Sequence, residues 1–307
     1  MVFRKQNTLR YVRRQIRLIL WHLRQFYIEH FFLKAYITEK FKKYVGYYPD
    51  LKNPETFNEK LQWLKLYWRD PRGTVCADKY AVRAYVQSKI GGHFLNEFYA
   101  LYDRVEDINI AELPDSFVLK ATHGSGWNII CYDKRSLDWD KAFADMKTWL
   151  ASNYYNATEY DREWVYKNIK PHIICEKYLA TENKLPTDYK IFCFNGKPRI
   201  IQVNTDRDTT LKIDFYDLGW NRLPCRLKEH PNSGKALSCP GNFNAMLEAS
   251  RALAADFVFV RTDFYLIDGK IIFGEMTFFP NSGLKAFVPQ EYDHILGDML
   301  TLPKESH

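Results

Sequence analysis

The chain has 307 residues, enough to bury a sizeable core in two or three closely associated subdomains. Hydrophobic residues make up 46% and charged residues 26%, an ordinary globular profile that argues against a low-complexity or disordered chain. The net charge of +7 sits unevenly: residues 1–45 hold eleven Lys/Arg against Glu29 and Glu39, so the rest of the chain carries about −2 and the basic character belongs to the arm, not to the body.

The N-terminal arm, residues 1–45, reads as a helix. Leu9, Val12, Ile16, Ile19, Leu23 and Phe26 recur at steps of three and four, with Arg10, Arg13, Arg14, Arg17 and Arg24 largely on the other side. Trp21, Phe26, Tyr27, Phe31 and Phe32 add aromatic rings. Two readings follow: docking on an anionic membrane surface, or packing on the body with a solvated basic face. Nucleic acid is the less favoured partner. The same arginines interrupt every apolar stretch, which argues against a secretory signal and a transmembrane span. Cys76, Cys131, Cys175, Cys193, Cys225 and Cys239 show no metal-ligand spacing and read as structural thiols of a reducing cytoplasm.

Residues 46–115 read as helical with short loops. Asn53-Pro54-Glu55-Thr56 opens a helix into Phe57–Leu64, and Asp78-Lys79-Tyr80 opens another that runs to about Lys89. After Leu113-Pro114 strands take over: Phe117–Lys120, then Asn128–Tyr132 beyond the turn His123-Gly124-Ser125-Gly126. A helix spans about Trp139 to Tyr154, with Ser136 or Asp138 as its cap. Further strands are expected at Ile173–Leu179, Asp188–Phe194 and Pro198–Val203, the last two joined by the hairpin turn Asn195-Gly196. A helix near 243–255 precedes strands Phe257–Ile267 and Lys270–Glu275, joined at Asp268-Gly269. The order is α+β, antiparallel hairpins with helices between them.

Two constellations carry chemistry. A glycine turn between two strands, with Lys120 before it, can present backbone N–H groups and a point charge to phosphate oxygens. It matches neither a P-loop nor a dinucleotide fingerprint. The second is stronger. Arg261 and Asp263 share a strand face, and the Asp268-Gly269 turn brings Asp263 close to Glu275, with Thr277 two residues on. Converging carboxylates repel unless a cation lies between them, and hard oxygen ligands favour Mg²⁺ with bound phosphates.

The order of these segments resembles the ATP-grasp superfamily, and more narrowly its TupA-like family of polysaccharide biosynthesis loci. Ala77-Asp78-Lys79, Phe117-Val118-Leu119-Lys120, Asp188-Tyr189-Lys190 with Phe194-Asn195-Gly196, and Phe273-Gly274-Glu275-Met276-Thr277-Phe278 carry the match over roughly residues 50 to 290. The resemblance implies an ATP-grasp fold, with a lid subdomain at 116–180 and a C-terminal subdomain holding the metal site at 181–307. It implies an ATP- and Mg²⁺-dependent ligase that joins the carboxylate of a sugar or glycan to an amine through an acyl-phosphate. It also distributes roles. Lys120 holds an α- or β-phosphate, and His123, Gly124, Ser125 and Gly126 close over the triphosphate, with His123 a candidate for a direct catalytic part. Glu176 with Lys177, Tyr178 and Leu179 meets adenine, and Asp188 the ribose. Lys190 reaches a phosphate, Arg261 stabilises the transferred phosphoryl group, and Asp263 and Glu275 bind Mg²⁺. Thr277 stands where the superfamily usually has Asn, so the third metal ligand is either Thr277 or Asn281. The protein is expected in the cytoplasm, peripheral to the inner face of the membrane if the arm docks there.

A membrane-associated glycosyltransferase is the rival, because Asp138-Trp139-Asp140 and Asp206-Arg207-Asp208 are Asp-x-Asp patterns. Arg207 reads equally as a contact for an acidic substrate and as a structural ion-pair partner. A catalytically inert scaffold on the membrane is the third reading.

Overall fold

The computed structural model describes residues 2–157, 162–180, 185–207 and 209–304. The expectations for the side chains of Leu9, Arg10 and Arg14, and for Asp208, lie outside the described residues. The chain divides into two compact units, Met1–Pro49 and Asp50–His307.

The first unit is helical, as the periodicity of the arm predicts. Helix α1 (Val2–Tyr27) continues through a π-helical turn, Ile28–Phe32, into α2 (Leu33–Val45). Phe41 is buried, with Tyr47 edge-on to its ring. Among the described residues no helix is long and apolar enough to cross a membrane.

In the second unit the first helix is α3 (Phe57–Tyr67). The Thr56 hydroxyl accepts the Glu59 N–H and the Glu59 carboxylate accepts the Thr56 N–H at 3.0 Å, a reciprocal cap on the start read from the sequence. Helices α4 (Pro71–Ala77) and α5 (Val82–Ile90) follow. Helix α5 begins later than Asp78 because the Asp78 carboxylate accepts the Tyr80 and Ala81 N–H groups and holds that stretch as a turn.

Strands β1 (Phe98–Tyr102), β2 (Phe117–Ala121), β3 (Asn128–Cys131) and β4 (Ile173–Lys177) form one antiparallel sheet in the order β1-β4-β2-β3. Here the sequence reading of 46–115 as helical needs correction: β1 lies inside it and is an edge of this sheet. Five consecutive apolar residues carry neither helical nor strand periodicity, so Phe98–Tyr102 was ambiguous without its partner. Helix α6 (Trp139–Leu150) buries Ala142 and Met146 against Phe117, Leu119, Ala121, Ile173 and Cys175 on one face. Alternation along the strands leaves Val118, Lys120 and Glu176 on the other face.

After the short α7 (Tyr154–Ala157) come β5 (Asp188–Phe194), β6 (Lys197–Thr205), β7 (Lys212–Tyr216), β8 (Arg226–Leu227), α8 (Phe243–Ala254), β9 (Phe259–Ile267), β10 (Lys270–Thr277), β11 (Phe287–Val288) and α9 (Glu291–Asp298). The second sheet has the order β10-β9-β5-β6-β7, and β8 pairs with β11. The Asn195-Gly196 and Asp268-Gly269 turns have positive φ at both central residues, the geometry that two-residue hairpins demand. Helix α8 covers one face, where Thr262 donates to Ser250 at 2.8 Å. On the opposite face Phe57 of α3 meets Phe192, Phe194 and Phe259 at ring distances of 5.0 to 6.1 Å. Toward Lys190 and Asp188 of β5 and Arg261 and Asp263 of β9 the same face turns polar, and it is there that the charged residues gather.

Candidate active site

A cleft opens between the polar part of the second sheet and the uncovered face of the first. Lys79, Arg83, Lys120, Lys190 and Arg207 line it, facing Glu176, Asp188, Asp263 and Glu275. Strand register builds this array. Pairing of β9 with β10 sets Asp263 opposite Glu275 and Arg261 opposite Thr277, while β5 sets Lys190 opposite Asp263 and Asp188 opposite Tyr265. In a regular strand Glu275 would share a face with Phe273, which pairs with Phe264 in the core. A bulge at Gly274 adds one residue and turns Glu275 toward the cleft instead.

Arg261 is the hub of the carboxylate end. Its Nε and one terminal nitrogen donate to the two oxygens of Asp263 at 2.7 Å each. The same terminal nitrogen reaches Thr277 Oγ1 at 3.0 Å and Glu275 Oε1 at 3.3 Å, and the Thr277 hydroxyl donates to Glu275 at 3.0 Å. Lys190 donates to Asp263 and lies 2.7 Å from Asp188. The two carboxylates therefore converge around Arg261 and Lys190, and their proximity does not by itself demand a metal. Burial pushes the Asp263 carboxyl up. Burial acts the same way on Glu275, but Lys190, Lys79 and Arg261, with the Thr277 hydroxyl, outweigh it and hold Glu275 down at about 2.

Among the described residues no group of three or more His, Cys, Asp or Glu side chains is gathered to hold a metal. The donors at this end are nonetheless hard oxygens, and Glu275 stays ionised throughout the physiological range, which is the chemistry a hard divalent cation needs. Thr277 is engaged between Arg261 and Glu275 and is not part of the cleft lining. Asn281 belongs to a separate small hollow with Asn58, Gln202 and Lys285, so the structure places it away from the cleft.

At the other end Lys120 on β2 pairs with Glu176 on β4 at 2.8 Å, and Arg83 on α5 pairs with the second oxygen of Glu176 at 2.9 Å. Burial works against the Lys120 ammonium, yet Glu176 outweighs it and raises its pKa. Glu176 is thus a counter-charge for two cations. Lys177, Tyr178 and Leu179 line an adjoining apolar hollow with Val118, Ile130, Leu185 and Pro186. Asp188 is buried, and its Oδ1 has no hydrogen-bond partner, leaving an acceptor beside the cleft.

Ser125 and Gly126 of the glycine turn line the cleft, and the Gly124 carbonyl accepts from the Lys79 ammonium. His123 does not reach the cleft. Its buried ring lies edge-on to Trp127 with Nε2 2.9 Å from the Trp149 carbonyl, and burial lowers its pKa, so it is a neutral packing residue. That removes the geometric basis for a catalytic part.

Lys79, Arg83, Asn96 and Tyr265 are among the lining residues to which the sequence alone assigned no role. Tyr265 had a usable signal, since it follows Asp263 by two residues on one strand. Lys79 stood in one of the segments that carry the family resemblance but had no role assigned there, and Arg83 had no signal, because its side chain reaches the cleft only through tertiary packing. Arg207 lines the cleft and lies 4.0 Å from Asp188 and over the Tyr265 ring, which fits the ion-pair reading. The first aspartate of each Asp-x-Asp pattern has a local role. Asp138 caps α6 by accepting the Lys141 N–H at 2.9 Å, and Asp206 pairs with Lys212 at 2.8 Å. Cys76, Cys175, Cys193 and Cys225 are buried, and burial pushes each thiol up to about 12, so none is poised as a nucleophile.

A family model described as TupA-like ATPgrasp matches residues 59–301. No curated protein matches the chain in sequence. Among solved structures, the D-alanine–D-alanine ligase of Bacillus anthracis complexed with ATP is 18% identical with a TM-score of 0.41, covering 74% of this chain and 63% of that one. The L-amino acid ligase of Bacillus licheniformis is 13% identical with a TM-score of 0.42, covering 76% and 50%. The N5-carboxyaminoimidazole ribonucleotide synthetase of Thermus thermophilus is 14% identical with a TM-score of 0.37, covering 72% and 51%. The chain thus spans between half and two thirds of the length of these proteins.

Proposed function

The chain belongs to the TupA-like ATP-grasp family, and on that premise we propose that it is an ATP- and Mg²⁺-dependent carboxylate–amine ligase. Its acceptor is the carboxylate of a sugar or glycan, such as a uronic acid, and its second substrate an amino acid or other amine, joined in the synthesis of a cell-surface polysaccharide. The work takes place in the cytoplasm, with the basic arm available to an anionic membrane surface.

One observation carries this reading: a charged cleft clasped between two antiparallel sheets, continuous with an apolar hollow. The hollow, beside Tyr178, Leu179, Val118 and Ile130, suits a flat adenine ring. The unpartnered Asp188 Oδ1 suits a ribose hydroxyl donor. Lys120, Lys79, Ser125 and Gly126 line the same cleft and would meet the phosphates. Five cations against four carboxylates leave too little positive charge for a triphosphate, and this favours entry of the nucleotide with Mg²⁺. Asp263 and Glu275 would hold that ion, which offsets phosphate charge when bound.

In the reaction, an acceptor carboxylate oxygen attacks the γ-phosphorus and ADP leaves. The carboxylate is a poor electrophile until this mixed anhydride forms. The amine then attacks the acyl carbon, phosphate leaves, and the amine loses its proton. Lys190 stabilises charge gathering on the transferred group, Lys120 offsets that on the α- or β-phosphate, and Arg261 fixes the carboxylates beneath the transferred group. A screen for ADP release with uronic acids and amines tests the proposal. Release that needs both acceptors, and that fails in Glu275→Ala, is expected. Turnover of a UDP-sugar without ATP would instead establish the glycosyltransferase.

A further inference from the structure

The N-terminal unit carries a surface that the ligase chemistry does not use. Stepping about 100° per residue around α1, Val12, Ile16, Ile19, Leu20, Leu23, Phe26 and Tyr27 fall in one arc roughly 120° wide. All seven are exposed, Leu20 at 59% and Ile19 at 58%. The arc ends in a cluster of rings at the π-helical turn: Phe26 stacks on His30 at 4.2 Å, and Tyr27 and Phe31 lie 5.9 Å apart. Phe31 is 67% and Phe32 57% exposed. A contiguous exposed apolar stripe of this length is a docking surface, not a solvated face.

Charge decides what docks. Arg13, Arg17 and Arg24 are exposed along one flank of the arc, and α2 adds exposed Lys34, Lys42 and Lys43. A second copy of this chain would bring the same cations against each other. A bilayer with anionic headgroups offers hydrocarbon to the arc and counter-charge to its flank. We propose that residues 12–32 lie in the plane of an anionic membrane surface, with the arc Val12 to Tyr27 sunk into the headgroup boundary and the rings of Phe26–Phe32 as its aromatic anchor. No described helix is apolar enough to cross, so the attachment is peripheral and reversible by salt.

Flotation of the full chain with vesicles tests this, using equal parts phosphatidylcholine and phosphatidylglycerol against phosphatidylcholine alone. Binding to the anionic vesicles is expected to exceed the neutral ones by roughly tenfold or more and to fall steeply with salt. Ile16→Glu with Leu23→Glu is expected to abolish flotation without moving the melting temperature. Arg13→Glu with Arg17→Glu is expected to erase the preference for anionic lipid. Absence of flotation, or equal binding to neutral vesicles, overturns the proposal. So does a dimer in solution that Ile16→Glu with Leu23→Glu converts to monomer while vesicles bind neither form. ATP plays no part in these readouts, so their outcome and that of the ligase proposal are independent.

Discussion

Glu275→Gln separates folding from chemistry at the carboxylate end of the cleft. The Glu275 side chain is 33% exposed, and its Oε1 accepts from Thr277 at 3.0 Å and, at the long distance of 3.3 Å, from Arg261. A glutamine keeps that acceptor oxygen and the volume, while Asp263 still takes the bidentate pair from Arg261. The folding cost is therefore about 1 kcal/mol or less, the range of partly exposed ion pairs. The lost quantity is a full negative charge held ionised down to about pH 2. As a hard-oxygen ligand Glu275 would help to hold the Mg²⁺ that offsets phosphate charge in the transition state. Stabilisation of that kind is worth about 3–4 kcal/mol, so turnover should fall on the order of 10²- to 10³-fold. ADP release at saturating ATP over a Mg²⁺ titration, beside a thermal melt, reads both effects. The melt should barely move while turnover collapses and its Mg²⁺ dependence weakens. A folded variant that turns over like wild type would show that Glu275 holds no metal that the reaction needs.

Two further predictions concern the frame around the cleft. Burial raises the Asp293 carboxyl to about 6, against the opposing hydrogen bonds from the Asn58 N–H and amide. The folded state then holds a proton that the unfolded chain has released, so this group's contribution to stability falls as pH rises from about 4 to about 6, by up to about 3 kcal/mol. In Asp293→Asn that loss should vanish, and urea unfolding at pH 4 and pH 7 would expose an unchanged difference as a refutation. Gly283→Ala should be costly: at φ 61° a Cβ would stand 2.5 Å from Gln62 Nε2 and 2.9 Å from Leu61 Cβ. We expect a loss of about 2 kcal/mol or more, seen as a drop of several degrees in melting temperature. An unshifted melt would mean that the loop after β10 is not held against α3.

Much of the fold was readable because local signals and tertiary demands agree. The Thr56 cap, the Asn195-Gly196 and Asp268-Gly269 turns, and the alternation in β5 and β9 each carry their own physical reason. What stayed hidden depends on partners distant in sequence. Strand β1 is an unpatterned apolar run until β4 pairs with it, and β7, Lys212–Tyr216, is five residues long at the edge of its sheet. The carboxylate pair was visible as two acids on a hairpin. The Arg261 and Lys190 contacts that neutralise it, and the Gly274 bulge that aims Glu275, were not, since register cannot be read from one strand. His123 misled for a related reason: adjacency to a glycine turn says nothing about which side of the turn a ring occupies.

Binding of the phosphates of ATP against Lys120 in the cleft between the sheets is read by calorimetry with a non-hydrolysable ATP analogue and Mg²⁺. Saturable one-to-one binding by the full chain is expected, lost in Lys120→Ala, a variant whose fold survives because Arg83 still pairs with Glu176. Undiminished binding in Lys120→Ala, or no binding of the analogue by a folded wild-type chain that takes up a UDP-sugar, would contradict this placement of the phosphates.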